Sequence, residues 1–429
     1  MKMNAPRGTV DILPEEAAKW QYIESKLKNI CDRYHYQEIR TPIFEHTEVF
    51  QRGVGDSTDI VQKEMYTFED RGGRSLTLRP EGTASVARAF VQNKLYGSPN
   101  QPVKLYYFMQ LFRYERPQQG RMRQLHQFGV EVLGSASPAV DAEVIDLAMT
   151  CYKELGLTSL KLVINSLGDE ESRTNYRKAL IEHFTPHQEQ LCQDCQKRLT
   201  QNPLRILDCK KDRNHPAMEQ APSILEYLNE SSKKYFEQVK EYLTIMGIEY
   251  TVDPNLVRGL DYYNHTAFEI MSEAEGFGAI TTLTGGGRYD GLVEDLGGPQ
   301  TPGIGFGMGI ERLLMALEAE EIDIPVEKQL DCYFIAVGEE ADKQSVALVH
   351  ELRKNGLQVD KNYLQQKMRA QFKAANRLQA KYVLIFGENE LEKDVIEVKN
   401  MATGEQEEVP LNKIVEIMKS KLSGGKNNE

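Results

Sequence analysis

Apolar residues recur at helical spacing near the start of the chain. In residues 15–34, EEAAKWQYIESKLKNICDRY, Ile23, Leu27, Ile30, Cys31 and Tyr34 share one face and charged residues take the other. That spacing predicts an amphipathic helix. The period then changes. EIRTPIF reads as extended, with Pro42 suited to the edge or start of a strand. RSLTLRPEGT reads as a strand entering a turn and a helix. VKLYYFMQLFRYE and LHQFGVEVLG are aromatic and β-branched, and predict two strands. ERPQQGRMRQ, with Pro and Gly, is then the loop of a long hairpin. Residues 141–155 return to helical spacing, with Ile145, Ala148, Met149, Tyr152 and Leu155 on one face, and KLVINSLG follows as a strand.

The stretch of about 169–247 is polar and helical in pattern, and it reads as an insertion holding three of the six cysteines. Strand patterns resume at LVRGLDYYNHTAFEIM, AITTLTGGGRYDGL and TPGIGFGMGI, the last running into a helix, ERLLMALEAEE. EEIDIPVEKQ reads as a linker. Beyond it, strands DCYFIAVG, LQVDKN, YVLIFGE and DVIEVKN alternate with helical stretches, a small α/β unit. The pattern therefore predicts an α+β chain. Residues 1–325 form a mainly antiparallel sheet with flanking helices and a helical insertion, 326–424 an α/β domain, and 425–429 a flexible tail.

The totals narrow the class. The chain has 429 residues, 40% hydrophobic and 27% charged, a globular composition. No run of about 18 apolar residues is present, so no membrane span is expected. Six cysteines are too few for a disulfide scaffold, and the opening MKMNAPRGTVDILPEE has no apolar h-region. A cytoplasmic setting is expected. The net charge is −12, so nucleic acid could bind only at a local basic surface. From residue 328 on, 16 basic and 16 acidic residues balance. There, Arg369, Lys373, Arg377 and Lys381 recur every four residues, one stripe on a helix. A solvated face and a phosphate-backbone contact both fit it.

Several stretches carry candidate chemistry. No G-x-x-x-x-G-K-[ST] loop occurs, which argues against a Walker-type phosphate site. In GIGFGMGIER the glycines fall at 303, 305, 307 and 309. On a strand they leave one face bare, able to admit a flat ring or a phosphate, with Arg312 in the following helical turn; close helix packing is the plainer alternative. In FRYERPQQGRMRQLHQFGVEVLG, Arg113, Glu115, Gln127, Gly129 and Glu131 are odd-numbered and predict one polar face per strand. Arg116, Arg121 and Arg123 add positive charge between them, and guanidinium groups on a covered sheet suit phosphate. LVRGLDYYNHTAFEI packs Arg258, Asp261, Tyr262 and Tyr263 into a strand-like stretch, costly to bury without partners. Cys192, Cys195 and Cys209 have the spacing C-x2-C-x13-C, and C-x5-H then reaches His215. This invites a zinc reading, but the fourth ligand is open and no metal is assigned to the site. His126 and His265 lack ligand spacing and read as structural.

These residues also carry a resemblance. F-R-x-E with its basic loop resembles motif 2 of the class II aminoacyl-tRNA synthetases, GIGFGMGIERLL resembles motif 3, and the first helix with YQEIRTPIFE resembles motif 1. Within that class, LRPEGT, LVRGLDYYNHTAFEI and GGGRYDGL resemble the histidyl-tRNA synthetase family, and the similarity runs over nearly the whole chain. It implies a ligase that activates L-histidine with ATP to histidyl-adenylate and transfers it to the 3′ end of tRNA(His). It implies Arg113 and Arg258 at the α-phosphate, Arg121 and Arg312 at the other ATP phosphates, Glu115 near the adenine, and Mg²⁺ on the β- and γ-phosphates. Glu81, Gly82 and Thr83, with Gln127, would receive the histidine α-ammonium; Glu131 and Tyr263 would meet the imidazole; Tyr262 and Tyr289 would wall the pocket. Glu81 taken alone also fits a charge at a helix start. Asp261 would support the turn or Arg258. The motif 2 loop would approach the tRNA acceptor end, the C-terminal domain would bind the anticodon, and motif 1 implies a homodimer. The alternative is a non-catalytic, synthetase-like regulatory subunit of histidine biosynthesis, which keeps the fold and degrades LVRGLDYY.

Overall fold

The computed structural model describes all residues except 1–2, 56–57, 208, 210, 279–280, 327–329, 365 and 424–429. The expected tail, 425–429, and the end of the expected linker lie outside the described residues. The chain divides into two compact units, Met1–Ile324 and Pro325–Glu429.

The strands of the first unit are β1 Gln37–Glu38, β2 Phe44–His46, β3 Tyr66–Glu69, β4 Ser75–Leu78, β5 Val103–Phe112, β6 Gln124–Leu133, β7 Leu160–Ser166, β8 Thr251–Val252, β9 Asn264–Ser272, β10 Thr282–Arg288 and β11 Gly303–Gly309. Eight of them make one sheet in the order β1-β5-β6-β11-β10-β9-β7-β8. Its interior pairs are antiparallel and its two outermost pairs parallel. The remaining three pair in the order β2-β4-β3.

Alternation along the strands sorts the large sheet into two faces. Phe128, Val130, Val132, Phe268, Ile270, Ile304, Phe306 and Met308 point into the main core. Against them pack the helices Pro14–Arg33, Pro138–Glu154, Glu230–Ile245 and Ile310–Ala319, through residues such as Leu27, Ile145, Val239 and Leu313. This core also buries one ion pair. Arg288 and Asp141 are fully enclosed, and Asp141 accepts further from Thr266 Oγ1 at 2.6 Å. The opposite face carries Tyr107, Gln127, Gly129 and Glu131, together with the odd-numbered glycines of β11; β6 and β11 align Glu131 with Gly305 and Gln127 with Gly309.

The polar helical stretch has a core of its own, including Tyr176, Leu180, Phe184, Leu199, Ile206 and Leu228. The helix Glu230–Ile245 belongs instead to the main core through Phe236, Val239 and Leu243, so it lies outside the stretch's separate packing. In the second unit, β12 Cys332–Ala336, β13 Val359–Lys361, β14 Tyr382–Phe386, β15 Val395–Asn400 and β16 Gln406–Pro410 form the sheet β13-β12-β14-β15-β16. The expected α/β pattern is present. Periodicity missed β16, QEEVP, because three of its five residues are polar and exposed on an edge. The basic stripe is shorter than its spacing implied. The helix is Met368–Arg377, so Arg369, Lys373 and Arg377 share it, while Lys381 lies beyond and reaches Asp331 at 3.4 Å.

Candidate active site

The polar face of the large sheet forms the floor of a cleft. Its lining includes Glu81, Thr83, Arg113, Glu115, Arg121, Gln127, Arg258, Tyr262, Tyr263 and Arg312. The tertiary fold thus brings together ten of the thirteen residues singled out from sequence. The other three, Gly82, Glu131 and Tyr289, sit directly behind that lining.

Glu131 is fully buried, and three hydroxyls converge on it. Thr83 Oγ1 donates to its Oε1 at 2.7 Å and Tyr107 OH to the same oxygen at 3.1 Å, while Tyr289 OH donates to Oε2. Burial pushes the Glu131 carboxyl up to about 8, although the hydrogen bonds from Tyr289 and Thr83 pull the other way. Two lone pairs on each carboxylate oxygen leave Oε2 with one acceptor position spare. Tyr107 was not legible as a site residue, because within β5 it is one aromatic among several.

Glu81 does what a carboxylate at a helix start does. Its oxygens accept from the backbone N–H of Thr83 at 2.8 Å and of Ala84 at 2.7 Å, at the head of the helix Thr83–Gln92. Tyr262 OH approaches it at 3.4 Å. Burial raises the Glu81 carboxyl, opposed by those two backbone donors. At Gly82, between Glu81 and Thr83, a Cβ would strike the Tyr107 ring.

LVRGLDYY is a loop. The strand β9 begins only at Asn264, so Arg258, Tyr262 and Tyr263 reach the cleft from a loop and do not alternate on a sheet. The strand expectation failed because arginine, glycine and aspartate favour a turn here, although the flanking residues are β-formers. Arg258 pairs with Glu269, which sits opposite Gly285 in the ladder. Its guanidinium lies where a side chain at position 285 would begin. Glu269 also accepts from Thr282 Oγ1 at 2.9 Å. Sequence reasoning missed Glu269, which resembled an ordinary strand residue. Asp261 accepts from Asn202 Nδ2 of the helical stretch at 2.8 Å. Arg173 of the same stretch donates to the Tyr263 carbonyl at 3.1 Å.

The glycine face of β11 is occupied by protein. A Cβ at Gly305 would fall on the Glu131 carboxylate and the Val130 carbonyl, and one at Gly307 on the Gln127 amide. At Gly305 and Gly307 the side chains of β6 therefore take the bared space, while Gly307 and Gly309 still line the cleft. The absent Cβ atoms let Gln127 and Glu131 lie down across the neighbouring strand.

The other end of the cleft is positive. Arg113 and Glu115 lie past the end of β5 at Phe112, in the hairpin loop, so they do not continue the strand's alternation. Arg113 Nε donates to the Pro80 carbonyl at 2.8 Å. Arg312 Nε donates to the Gly120 carbonyl at 3.0 Å and its Nη1 to the Thr282 carbonyl at 2.7 Å. Carbonyl oxygens orient these two guanidinium groups without cancelling their charge. Burial, then the nearby Arg121, push the Arg312 guanidinium below its ordinary value, as expected where cations are gathered. Arg121 lies 3.3 Å from Glu115 Oε2. Among the described residues, Glu115 Oε2 and Arg258 Nε are buried without a hydrogen-bond partner. Arg123 stacks on Tyr114 at 4.0 Å. His126 bonds Glu311 at 2.8 Å and its ring meets Trp20 edge-on, while His265 stacks near Tyr235, in keeping with structural roles.

A cleft with carboxylates and hydroxyls at one end, and at the other Arg113 and Arg312 held by carbonyl oxygens alone, can hold an ammonium-bearing molecule against a polyphosphate. Residues 8–313 match the family described as histidyl-tRNA synthetase, and residues 331–421 match the anticodon binding domain. The histidine–tRNA ligase of Oceanobacillus iheyensis is 68% identical over 426 residues, covering 99% of each chain. That of Bacillus subtilis is 62% identical over 424 residues, covering 99% of this chain and all of the other. Among solved structures, the apo histidyl-tRNA synthetase of S. aureus is 50% identical, covers 97% of this chain and 100% of its own, and superposes with a TM-score of 0.84.

Proposed function

The chain belongs to the histidyl-tRNA synthetase family, and from that membership we propose how its cleft performs the family's reaction. The activity is that of a histidine–tRNA ligase using ATP. Relatives of that name match at 62–68% identity across nearly the whole chain, which favours this reading over the regulatory-subunit alternative.

The single observation that supports the assignment of ends is the treatment of the arginines. Arg113 and Arg312 are held by backbone carbonyls and keep their charge for a ligand. Arg113 and Arg258 flank the α-phosphate, with Arg121 and Arg312 on the phosphates beyond. The histidine carboxylate oxygen attacks the α-phosphorus, the bond to the bridging oxygen breaks, and pyrophosphate leaves. Negative charge grows on the α-phosphate oxygens, and cations already in place stabilise it without having to reorganise. Glu115 Oε2 is left to accept from the adenine amine. Mg²⁺ would come as part of the ATP substrate and would offset polyphosphate charge beside Arg121 and Arg312.

At the other end, Glu81, Thr83 and Gln127 receive the α-ammonium, with Gly82 letting the helix start approach. Tyr263 and the spare acceptor position on Glu131 meet the two imidazole nitrogens. Tyr262 and Tyr289 close the sides. A pocket that satisfies both ring nitrogens rejects an amino acid lacking them, because its own polar groups would then go unpaired.

The adenylate then passes histidine to the terminal ribose of tRNA(His). The motif 2 loop faces the acceptor end, and the second unit, through Arg369, Lys373 and Arg377, the anticodon arm. The working form is a cytoplasmic homodimer. Phe44 and Phe68, half-exposed on the small sheet with rings 6.4 Å apart, are apolar surface suited to an interface. ATP–pyrophosphate exchange with each amino acid supplied alone tests the reading. Exchange with histidine only is the expected result, and no exchange with any amino acid would return the regulatory alternative.

A further inference from the structure

The helical stretch carries a cluster that the reaction does not use. Cys192, Cys195, Cys209 and Asp212 each turn one ligand atom inward, and these four atoms lie within 4.8 Å of one another. We propose that these four side chains form a structural zinc site that fastens the helical stretch beside the LVRGLDYY loop.

The geometry suits a tetrahedral ion. Zinc–sulfur bonds of about 2.3 Å at tetrahedral angles place two sulfurs about 3.8 Å apart. Cys192 Sγ and Cys209 Sγ are 3.7 Å apart, and Cys209 Sγ lies 3.7 Å from Asp212 Oδ2. All six cysteines are free thiols, and this pair stands well beyond bonding distance. Three sulfurs and one carboxylate form a soft, closed set, which selects zinc over magnesium or calcium. Cys195 and Cys209 are buried and Cys192 and Asp212 half-buried, and four protein donors fill a tetrahedral set without a position for water or substrate. The carboxylate is oriented by a second group: the Cys192 backbone N–H donates to Asp212 at 3.0 and 3.2 Å, the outer support expected around a ligating carboxylate. His215, the fourth ligand suggested by spacing, turns elsewhere. Its Nδ1 accepts from the Ala217 N–H at 3.1 Å and its Nε2 lies 3.2 Å from Gln190.

The position gives the ion its work. Cys192 caps the N-terminus of the helix Gln193–Gln201, Cys195 lies in its first turn, and Asn202 ends it. Asn202 holds Asp261, and Arg198 on the same helix reaches Asp59 at 3.2 Å. An ion at one end of this nine-residue helix therefore fixes the end that holds the LVRGLDYY loop through Asp261.

Metal analysis of the full chain, purified without a metal-affinity tag and dialysed, tests the proposal. The expected result is about one zinc per chain in the wild type and in His215→Ala, with loss of most of it in Cys195→Ser, Cys209→Ser and Asp212→Ala. Cobalt(II) loaded in place of zinc should give thiolate charge-transfer bands and the intense visible bands of a tetrahedral ion. Because a cysteine variant can fail to fold, the wild type is also stripped with chelator, and its melting temperature should fall and recover when zinc is returned. Wild-type protein without stoichiometric zinc, an octahedral cobalt spectrum, or a Cys192–Cys209 disulfide in its place would overturn the proposal. Zinc content is read independently of aminoacylation, so an inactive protein that carries zinc counts against the functional reading alone.

Discussion

The carboxylate of Glu131 occupies the space that a side chain at Gly305 would need. The two face each other across the β6–β11 ladder, and Glu131 is pinned there by three hydroxyls. A methyl group at position 305 would meet both the carboxylate and the Val130 carbonyl, and the backbone cannot step aside. Gly305→Ala should therefore displace Glu131 and nearly abolish histidine-dependent pyrophosphate exchange. Overpacking of this kind costs about 1–3 kcal/mol in stability, to be read by thermal melting. A variant with wild-type exchange would show that the bare face has no such role.

In the proposed chemistry Arg258 is the loop's contact to the α-phosphate, and its removal is the sharpest test of that proposal. Arg258→His should lower exchange by about 10²–10³, the usual cost of losing one preorganised charge at a developing anion. Histidine binding, read by calorimetry, should change little. The variant leaves Glu269 beside an unpaired space, so adding Glu269→Gln should restore stability but not exchange. An unchanged exchange rate in Arg258→His would remove it from the mechanism.

Glu131 also makes a pH prediction. Its folded value of about 8 stands above the ordinary 4.5. Between those values the folded chain holds a proton that the unfolded chain has released, so stability attributable to this carboxyl falls as pH rises from 4.5 to 8. The melting temperature of the wild type relative to Glu131→Gln should therefore decrease across that window and level off above it. A difference that is flat with pH would mean that the carboxyl is already ionised throughout.

The helix Met368–Arg377 presents Arg369, Lys373 and Arg377 to solvent. Replacing Lys373 and Arg377 by Ala should weaken tRNA aminoacylation and reduce the salt dependence of tRNA binding by about one unit of slope per cation removed. Pyrophosphate exchange, which needs no tRNA, should stay at the wild-type level. Equal aminoacylation in the double variant would return the stripe to an ordinary solvated face.

By itself the sequence determined most of the helices and strands, where polar residues gather, and the family through RPEGT, RGLDYY and GGRYDG. Such signals are local: the period of a strand or helix shows within ten residues, and a motif shows its chemistry by residue type. Tertiary structure decided who faces whom. Periodicity marked the odd positions of β11 as bare, and only the register with β6 shows that Glu131 and Gln127 lie across them. Tyr107 looked like core until the β5–β6 pairing set it beneath Glu131. Arg258 read as part of a strand, although its loop conformation and its pairing with Glu269 depend on how β9 and β10 close. Asp212, and not the better-spaced His215, completes the cysteine cluster because the chain turns back there. Partners separated by tens of residues are chosen by packing and strand register, which leave no periodic trace in the sequence.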